Sequence, residues 1–246
     1  KYANAYGFSD LNKKIPLRID DQFSTLSIAK QFTATLILQE VEKGTIDLQT
    51  PIRKYLPDFK YSWADTVTVH HLLNHTSGLY SDELKPTLKF KTGTAFSYSN
   101  VAYSVLCKKN KKQTGEIFET LVTALFKKCK IKNSYYPNET NSKFLTKGHT
   151  IKEDGTFKLN DRISFLPTQY FGSHLIVTAK GLAKWNEYLH NGKLLKPNTY
   201  KQMTNYTITN KHQVFGENPI GYAYGLRIND KTDIYEIGHT GFQLDN

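Results

Sequence analysis

The chain contains 246 residues, enough for one or two domains with a substantial core. Hydrophobic residues make up 39% and charged residues 22%, proportions that exclude a disordered chain. The formal net charge is +11, but it comes mostly from lysine, whereas base-specific contacts to nucleic acids usually require arginine. We therefore predict no nucleic-acid partner; the only arginines are Arg18, Arg53, Arg162 and Arg227.

The N-terminal part of the chain is predicted to contain one long buried helix. Residues 3–8 are typical of the end of a strand, and polar turns follow. Residues 27–42 lack glycine and proline, and their apolar side chains point all round the helix axis, which indicates a helix inside a domain. Gly44 is expected to end this helix. Thr50-Pro51 predicts a short second helix, with the threonine as its cap and the proline in its first turn.

Further helices are predicted in the middle of the chain, and the C-terminal part changes to a period of two. Residues 222–228 and 234–240 alternate around Asn229-Asp230, which predicts a β-hairpin. Strands at both ends indicate an α+β fold, with an antiparallel sheet flanked by helices beside a mostly helical domain. The predicted helices are 67–74, 100–110, 114–128 and 178–190; the sheet domain comprises 1–78 and 172–246, and the helical domain 79–171.

The sequence Ser27-Ile28-Ala29-Lys30 is the only Ser-x-x-Lys in the chain, and such a motif also arises by chance. On a helix its hydroxyl and amine lie one turn apart on the same face. A serine hydroxyl is a poor nucleophile until a base takes its proton, and a lysine in a dry site supplies such a base. The motif therefore predicts a nucleophile at the start of the buried helix, where the helix dipole favours a developing anion.

Two later triplets offer complementary chemistry. Tyr-Ser-Asn at residues 98–100 provides a phenol for proton transfer and an amide that orients a substrate carbonyl; an ordinary polar loop is the alternative. His-Thr-Gly at residues 239–241 ends the last predicted strand, where small residues allow a substrate to bond to the backbone. For a lone histidine on a strand, a purely structural role is the alternative.

In this order, the three motifs resemble the signature of serine β-lactamases and D-alanyl-D-alanine peptidases. The tyrosine and histidine variants are similar to those of class C β-lactamases, DD-carboxypeptidases and their esterase relatives. The likeness extends over nearly the whole chain, and includes residues 25–34, 44–57, 71–79, 181–184 and 191–195.

The resemblance implies a role for each matched residue. Ser27 attacks and becomes acylated, while Lys30 and Tyr98 transfer the serine and leaving-group protons, and which of them is the base stays open. The oxyanion lies between the backbone N–H groups of Ser27 and Phe242. The substrate-binding residues are Asn100, His239, Thr240 and Gly241.

His239 occupies a position where many relatives carry lysine. The resemblance implies that its side chain faces the substrate carboxylate or the Tyr98 oxygen. Because an ordinary histidine has a pKa near 6.5, its attraction for a carboxylate is expected to grow as the pH falls.

These roles imply a serine hydrolase that forms an acyl-enzyme at Ser27 on a D-Ala-D-Ala-type peptide, an ester or a β-lactam. A β-lactamase proper and a non-catalytic penicillin-binding or sensor module are the alternatives. No Gly-x-Ser-x-Gly elbow supports an α/β-hydrolase. No cofactor and no metal are expected: His71 and His75 have metal-like spacing, but His75 belongs to a His-Thr-Ser-Gly stretch that resembles a structural element of the family.

The resemblance also sets expectations for the whole protein. It implies a small-molecule or peptidoglycan-type substrate, a monomer, and a periplasmic or extracellular location compatible with membrane or cell-wall association. Members of this family have further strands before Ala5 and after Gly241. We therefore expect the sheet domain to be incomplete at both ends and the natural chain to extend past Asn246.

Overall fold

A computed structural model describes residues 2–114, 118–137, 145–160, 174–212 and 218–241. The helices are α1 (Lys30–Glu42), α2 (Ile52–Tyr55), α3 (Val69–Leu73), α4 (Asn100–Thr114), α5 (Phe118–Lys128), α6 (Ala179–His190) and α7 (Pro197–Thr204), with 3-10 helices at Leu26–Ala29 and Ser62–Asp65. The strands are β1 (Phe8–Asp10), β2 (Ile15–Pro16), β3 (Gln22–Ser24), β4 (Gly148–Ile151), β5 (Phe157–Asn160), β6 (Ile176–Thr178), β7 (Ile208–Asn210), β8 (Ile220–Tyr222), β9 (Arg227–Asn229) and β10 (Glu236–Gly238).

All the strand pairs of the described residues are antiparallel, which confirms the predicted α+β class. The largest sheet has four strands in the order β10-β9-β8-β7, and the others pair β1 with β2, β3 with β6 and β4 with β5. The β4–β5 hairpin lies in the range expected to be mostly helical, and the division into two domains stays a prediction. Among the helices that the structure describes, none is long and apolar enough to cross a lipid bilayer.

Helix α1 lies in the hydrophobic core, as its all-round apolar pattern predicts. Every residue from Lys30 to Leu38 is buried. Phe32 stacks on Trp185 of α6 with ring centroids 3.7 Å apart, and meets Phe126 of α5 edge-on at 5.8 Å. Large aromatic contacts of this kind contribute heavily to core stability. The first turn of α1 is therefore held from several sides.

The structure differs from the prediction at the start of this helix. Residues 26–29 form a 3-10 helix, and α1 begins only at Lys30. Leu26 adopts a left-handed conformation with φ +46°, which redirects the chain from β3 into the helix. Because a 3-10 helix has three residues per turn, side chains at i and i+3 eclipse, and Lys30 lies directly over Ser27.

The predicted hairpin after residue 229 is confirmed, because β9 and β10 pair antiparallel. Its first strand is shorter than predicted, because a turn divides residues 222–228 between β8 and β9. Gly225 has φ +68°, and the turn is closed by a 2.9 Å hydrogen bond from Ala223 N to Leu226 O. A Cβ atom at Gly225 would lie 2.7 Å from the Lys30 carbonyl oxygen, so only glycine brings this turn against α1. Tyr224 and Leu226 lie in the turn and are buried as well. The apolar alternation of the sequence therefore continues through the turn and does not reveal the break in the strand.

The other helix starts lie close to their predicted positions. Pro51 is the capping residue of α2, one residue later than the expected Thr50. Thr68 caps α3 as expected, and forms a capping box with His71.

Candidate active site

Ser27 and Lys30 form the centre of the site. Lys30 is fully buried, and its Nζ atom lies 3.1 Å from Ser27 Oγ. The same amine donates a 2.9 Å hydrogen bond to Asn100 Oδ1 at the start of α4. Lys30 therefore connects Ser27 of the first motif to Asn100 of the second.

Burial controls the protonation of this lysine. Burial, together with the nearby positive charge of Arg227, lowers the pKa of Lys30 from 10.5 to about 7. The amine also lies 4.8 Å from the centroid of the Tyr98 ring. A lysine with this pKa has a large neutral fraction near pH 7, which an exposed lysine lacks. It has the protonation and the position required of a base for Ser27.

Asn100 is oriented by two partners, a hydrogen-bond donor and a hydrogen-bond acceptor. Its Oδ1 accepts from Lys30, and its Nδ2 donates to Asp82 Oδ1 at 3.2 Å. The amide therefore has a defined orientation, with one Nδ2 hydrogen left for a substrate carbonyl. Asp82 was missed by sequence reasoning because it lies in a loop outside any motif.

The Tyr98 hydroxyl is buried beside Ser27. Its Oη is buried and has no hydrogen bond among the described residues, although Ser27 is close enough to influence its pKa. Burial raises the pKa of Tyr98 to about 12, while Ser27 and Arg227 act in the opposite direction. The phenol is thus neutral at pH 7 and retains a proton that it can donate to an incoming group.

The third motif lies beside the first. A Cβ atom at Gly241 would lie 2.5 Å from the Thr25 carbonyl oxygen. Glycine at this position therefore lets the end of the third motif pack closely against the nucleophile turn, the 3-10 turn at Leu26–Ala29 that carries Ser27. Thr240 is partly buried at the same edge. Phe242, the expected second oxyanion donor, lies outside the described residues.

The His239 ring is engaged by other groups of the protein. Its Nε2 lies 3.0 Å from Tyr222 Oη, and its Nδ1 lies 2.7 Å from the Thr240 carbonyl oxygen. Burial, then the positive charges of Lys30 and Arg227, hold the pKa of His239 well below 6.5. The expected growth in carboxylate attraction at lower pH therefore does not follow from this environment.

Arg227 is a further charged group at the site that sequence reasoning missed. It is only 5% exposed, yet its Nε and Nη1 atoms have no hydrogen-bond partner among the described residues. Its guanidinium carbon lies 5.8 Å from the Tyr98 ring centroid and 5.3 Å from that of Tyr222. Arg227 lies outside the three motifs through which the predicted site residues were identified.

The histidines with metal-like spacing have protein partners instead. His70 Nδ1 lies 2.7 Å from Tyr224 Oη, and His71 Nδ1 accepts the Thr68 backbone N–H at 3.1 Å. His75 Nε2 lies 3.1 Å from Tyr222 Oη. Within the described ranges, no group of three or more histidine, cysteine or acidic side chains is arranged to hold a metal ion.

Known proteins are similar to this chain in sequence and in fold. Protein flp of Staphylococcus aureus (strain MRSA252) is 24% identical over 267 residues, covering 98% of this chain and 52% of its own length. A penicillin-binding protein from Bacillus halodurans superposes with a TM-score of 0.77 at 24% identity, over 94% of this chain and 76% of that chain. A D-amino acid amidase from Ochrobactrum anthropi SV3 superposes with a TM-score of 0.79 at 20% identity, over 95% and 75%.

The present chain spans about half the length of the curated relatives that match it along its whole extent. At these identities, the likeness to solved structures shows the fold. The β-lactamase family profile matches residues 1–245. This match confirms the family resemblance that the three motifs carry, and the chain belongs to the β-lactamase family of serine hydrolases.

Proposed function

We propose that this chain hydrolyses an acyl bond through a covalent intermediate at Ser27, on a substrate with a free carboxylate beside the scissile bond. A peptide ending in D-Ala-D-Ala is the substrate of this type that we favour. The observation that carries the proposal is the 3.1 Å contact of Ser27 with a fully buried Lys30 whose pKa is about 7.

The pKa values support Lys30 as the base and Tyr98 as the acid. Neutral Lys30 takes the Ser27 proton as Oγ forms a bond to the carbonyl carbon. As the bond from that carbon to nitrogen breaks, Tyr98 gives its proton to the leaving amine and regains one from the Lys30 ammonium. Water then attacks the ester, releases the acid and restores the Ser27 hydroxyl. With its pKa at about 12, Tyr98 suits proton donation better than proton abstraction.

Arg227 supports a substrate that carries a carboxylate. A buried cation is costly when two of its donors, Nε and Nη1, have no hydrogen-bond partner among the described residues. A carboxylate offers two oxygens that match the geometry of a guanidinium. Neutral His239 provides no competing positive charge at this edge. The names of the similar structures, a penicillin-binding protein and a D-amino acid amidase, support choosing a peptide of D-amino acids for the test.

Covalent labelling tests the nucleophile. Penicillin or a fluorophosphonate is expected to add one adduct, located on Ser27 by peptide mapping, and Ser27→Ala is expected to remove it. An adduct on Ser77 or Ser99 would contradict the assignment. A folded protein that forms no adduct with either probe would favour a non-catalytic sensor module.

A substrate panel tests the specificity. We expect kcat/KM to be higher for a D-Ala-D-Ala peptide than for nitrocefin. Nitrocefin should acylate Ser27, and the resulting acyl group should be hydrolysed slowly. The matched control is the same peptide with an amidated C-terminus. Arg227→Gln should raise KM for the free acid, and leave KM for the amide and for a butyryl ester nearly unchanged. Nitrocefin hydrolysis near ~10⁶ M⁻¹s⁻¹, with the other substrates untouched, would instead identify a β-lactamase.

A peptidoglycan-type substrate places this activity outside the cytoplasm, in the periplasm or at the cell surface. We also propose that the protein acts as a monomer. Fractionation of the source cells and light scattering of the purified protein test these two points. Recovery in the cytoplasm, or a mass of several chains, would contradict them.

A further inference from the structure

A buried hydrogen-bond chain connects the second motif to the third. The Ser99 backbone N–H donates to His75 Nδ1 at 3.2 Å, and His75 Nε2 lies 3.1 Å from Tyr222 Oη. The same Tyr222 oxygen lies 3.0 Å from His239 Nε2, and His239 Nδ1 lies 2.7 Å from the Thr240 carbonyl oxygen. Ser99, His75 and Tyr222 are fully buried, so water does not replace these partners.

The two ends of the hydrogen-bond chain fix the protonation of three of the four ring nitrogens. A backbone N–H only donates, so His75 Nδ1 is an acceptor and its Nε2 carries the hydrogen that Tyr222 accepts. A carbonyl only accepts, so His239 Nδ1 carries a hydrogen and donates it to Thr240. The Tyr222 hydroxyl lies near both His239 Nε2 and Tyr103, and it donates to His239 when that ring is neutral. The two histidines then hold opposite tautomers.

Protonation of His239 would break this arrangement. An Nε2–H on His239 would face the Tyr222 oxygen that already accepts from His75, and Tyr222 would have to turn its hydrogen from His239 to Tyr103, whose own hydroxyl donates to the Leu73 carbonyl. The charged and titratable groups around the ring are Lys30 of α1, Arg227 of β9, Tyr222 of β8, His75, Tyr98 and His212. Arg227 and the protonated form of Lys30 also oppose a positive charge on His239.

We infer that His75 and Tyr222 are positioning residues: they hold His239 as the neutral Nδ1–H tautomer, which fixes the peptide between Thr240 and Gly241. Because a peptide unit is planar, a hydrogen bond to the Thr240 carbonyl also sets the direction of the Gly241 N–H. That peptide lies against Thr25 next to the nucleophile turn. The hydrogen-bond chain thus connects the segment that carries Tyr98 and Asn100 to the edge where the substrate binds.

Long-range ¹H–¹⁵N spectra of the protein labelled at histidine test the tautomers directly. We expect an Nε2–H signature for His75 and an Nδ1–H signature for His239, with no titration of His239 over roughly pH 5 to 8, the range of ordinary histidines. His75→Gln and His239→Gln assign the signals. An Nε2–H tautomer of His239, or titration near 6.5, would overturn the inference.

Two tyrosine variants test the positioning role. Tyr222→Phe removes the central hydroxyl, so His239 should titrate within the same pH range, and kcat/KM should fall by an order of magnitude or more with a new acid limb. Tyr224→Phe is the matched control, because it removes a tyrosine–histidine hydrogen bond of the same kind, to His70. It should leave the His239 signals and the pH profile unchanged. An unaltered His239 spectrum in Tyr222→Phe would refute the role.

The turnover measurement rests on the proposed function, whereas the spectra do not. If no acyl substrate is hydrolysed but the tautomers are as stated, the proposed function fails and the hydrogen-bond chain stands. If His239 titrates in Tyr222→Phe while turnover keeps its wild-type rate and pH dependence, the positioning role fails and the proposed function stands.

Discussion

Lys30 and Tyr98 are affected in opposite ways by the same dry environment. Burial disfavours the charged form of each group, which is the ammonium for lysine and the phenolate for tyrosine. The pKa of Lys30 therefore falls to about 7 while that of Tyr98 rises to about 12. At neutral pH the lysine therefore has a neutral fraction that can accept a proton, and the tyrosine keeps a proton that it can donate.

This difference predicts distinct pH profiles for two variants. Wild-type acylation should increase with pH through about 7, as Lys30 loses its proton. Tyr98→Phe should acylate about 10²- to 10⁴-fold more slowly but keep that limb, whereas Lys30→Ala should lose both rate and limb. Stopped-flow acylation at several pH values measures both effects. A Tyr98→Phe protein without the limb near pH 7 would make the tyrosine the base.

Asp82 gives a second prediction at single-residue resolution. Its carboxylate holds the Asn100 amide with Oδ1 toward Lys30. Asp82→Ala should lower kcat/KM about fivefold, the equivalent of ~1 kcal/mol for one exposed hydrogen bond. Glu83→Ala is the control, since Glu83 pairs only with Lys85 on the surface. Equal effects of the two substitutions would show that local charge, rather than the amide orientation, is responsible.

The turn between β8 and β9 allows the effect of close packing to be separated from that of backbone conformation. Gly225 and Gly192 have almost the same φ, +68° and +69°, but only Gly225 has atoms within reach of an added Cβ. Gly192→Ala should cost about 1 kcal/mol for the left-handed conformation alone. Gly225→Ala should cost about 2–4 kcal/mol, because the methyl group also overlaps Lys30. Urea denaturation measures both, and equal costs would contradict the contact.

Helix α1 and the turn between β8 and β9 show what hydrophobic periodicity can and cannot predict. Helix α1 was predictable because its own apolar side chains point all round the helix axis, a pattern that is visible in the local sequence. The break at Gly225 was not, because Tyr224 and Leu226 stay buried through the turn and imitate a continuous strand. Ser27, Lys30 and Asn100 were found through their motifs. Arg227 and Asp82 were missed because their importance comes from contacts between distant parts of the chain.

At the scale of the whole molecule, the lowered pKa of Lys30 reduces the stability of the fold. The unfolded chain binds a proton on Lys30 below pH 10.5, while the folded protein binds it only below about pH 7. Between these values the unfolded state holds more protons, so the free energy of unfolding increases with pH and reaches its full value above 10.5. Below about pH 7 the cost is constant, on the order of 5 kcal/mol.

Lys30→Met should therefore stabilise the protein while abolishing acylation. We expect the free energy of unfolding at pH 7 to increase by roughly 2–5 kcal/mol, and its rise between pH 7 and 10 to flatten. Lys180→Met, at an exposed position of α6, is the control and should keep the wild-type pH dependence. Denaturation at several pH values measures both. A less stable Lys30→Met protein would show that packing of the lysine outweighs its desolvation.

The glycines that touch the nucleophile turn constrain how this protein can diverge. At Gly225 and Gly241 even one methyl group would meet the backbone of Lys30 or Thr25. Most substitutions at these two positions are therefore removed by selection before they alter what the enzyme accepts. Variants with new substrates should instead carry their changes at the rim of the cleft, around residues such as Asp82. Within such a lineage, preferences would drift while the chemistry at Ser27 is inherited unchanged.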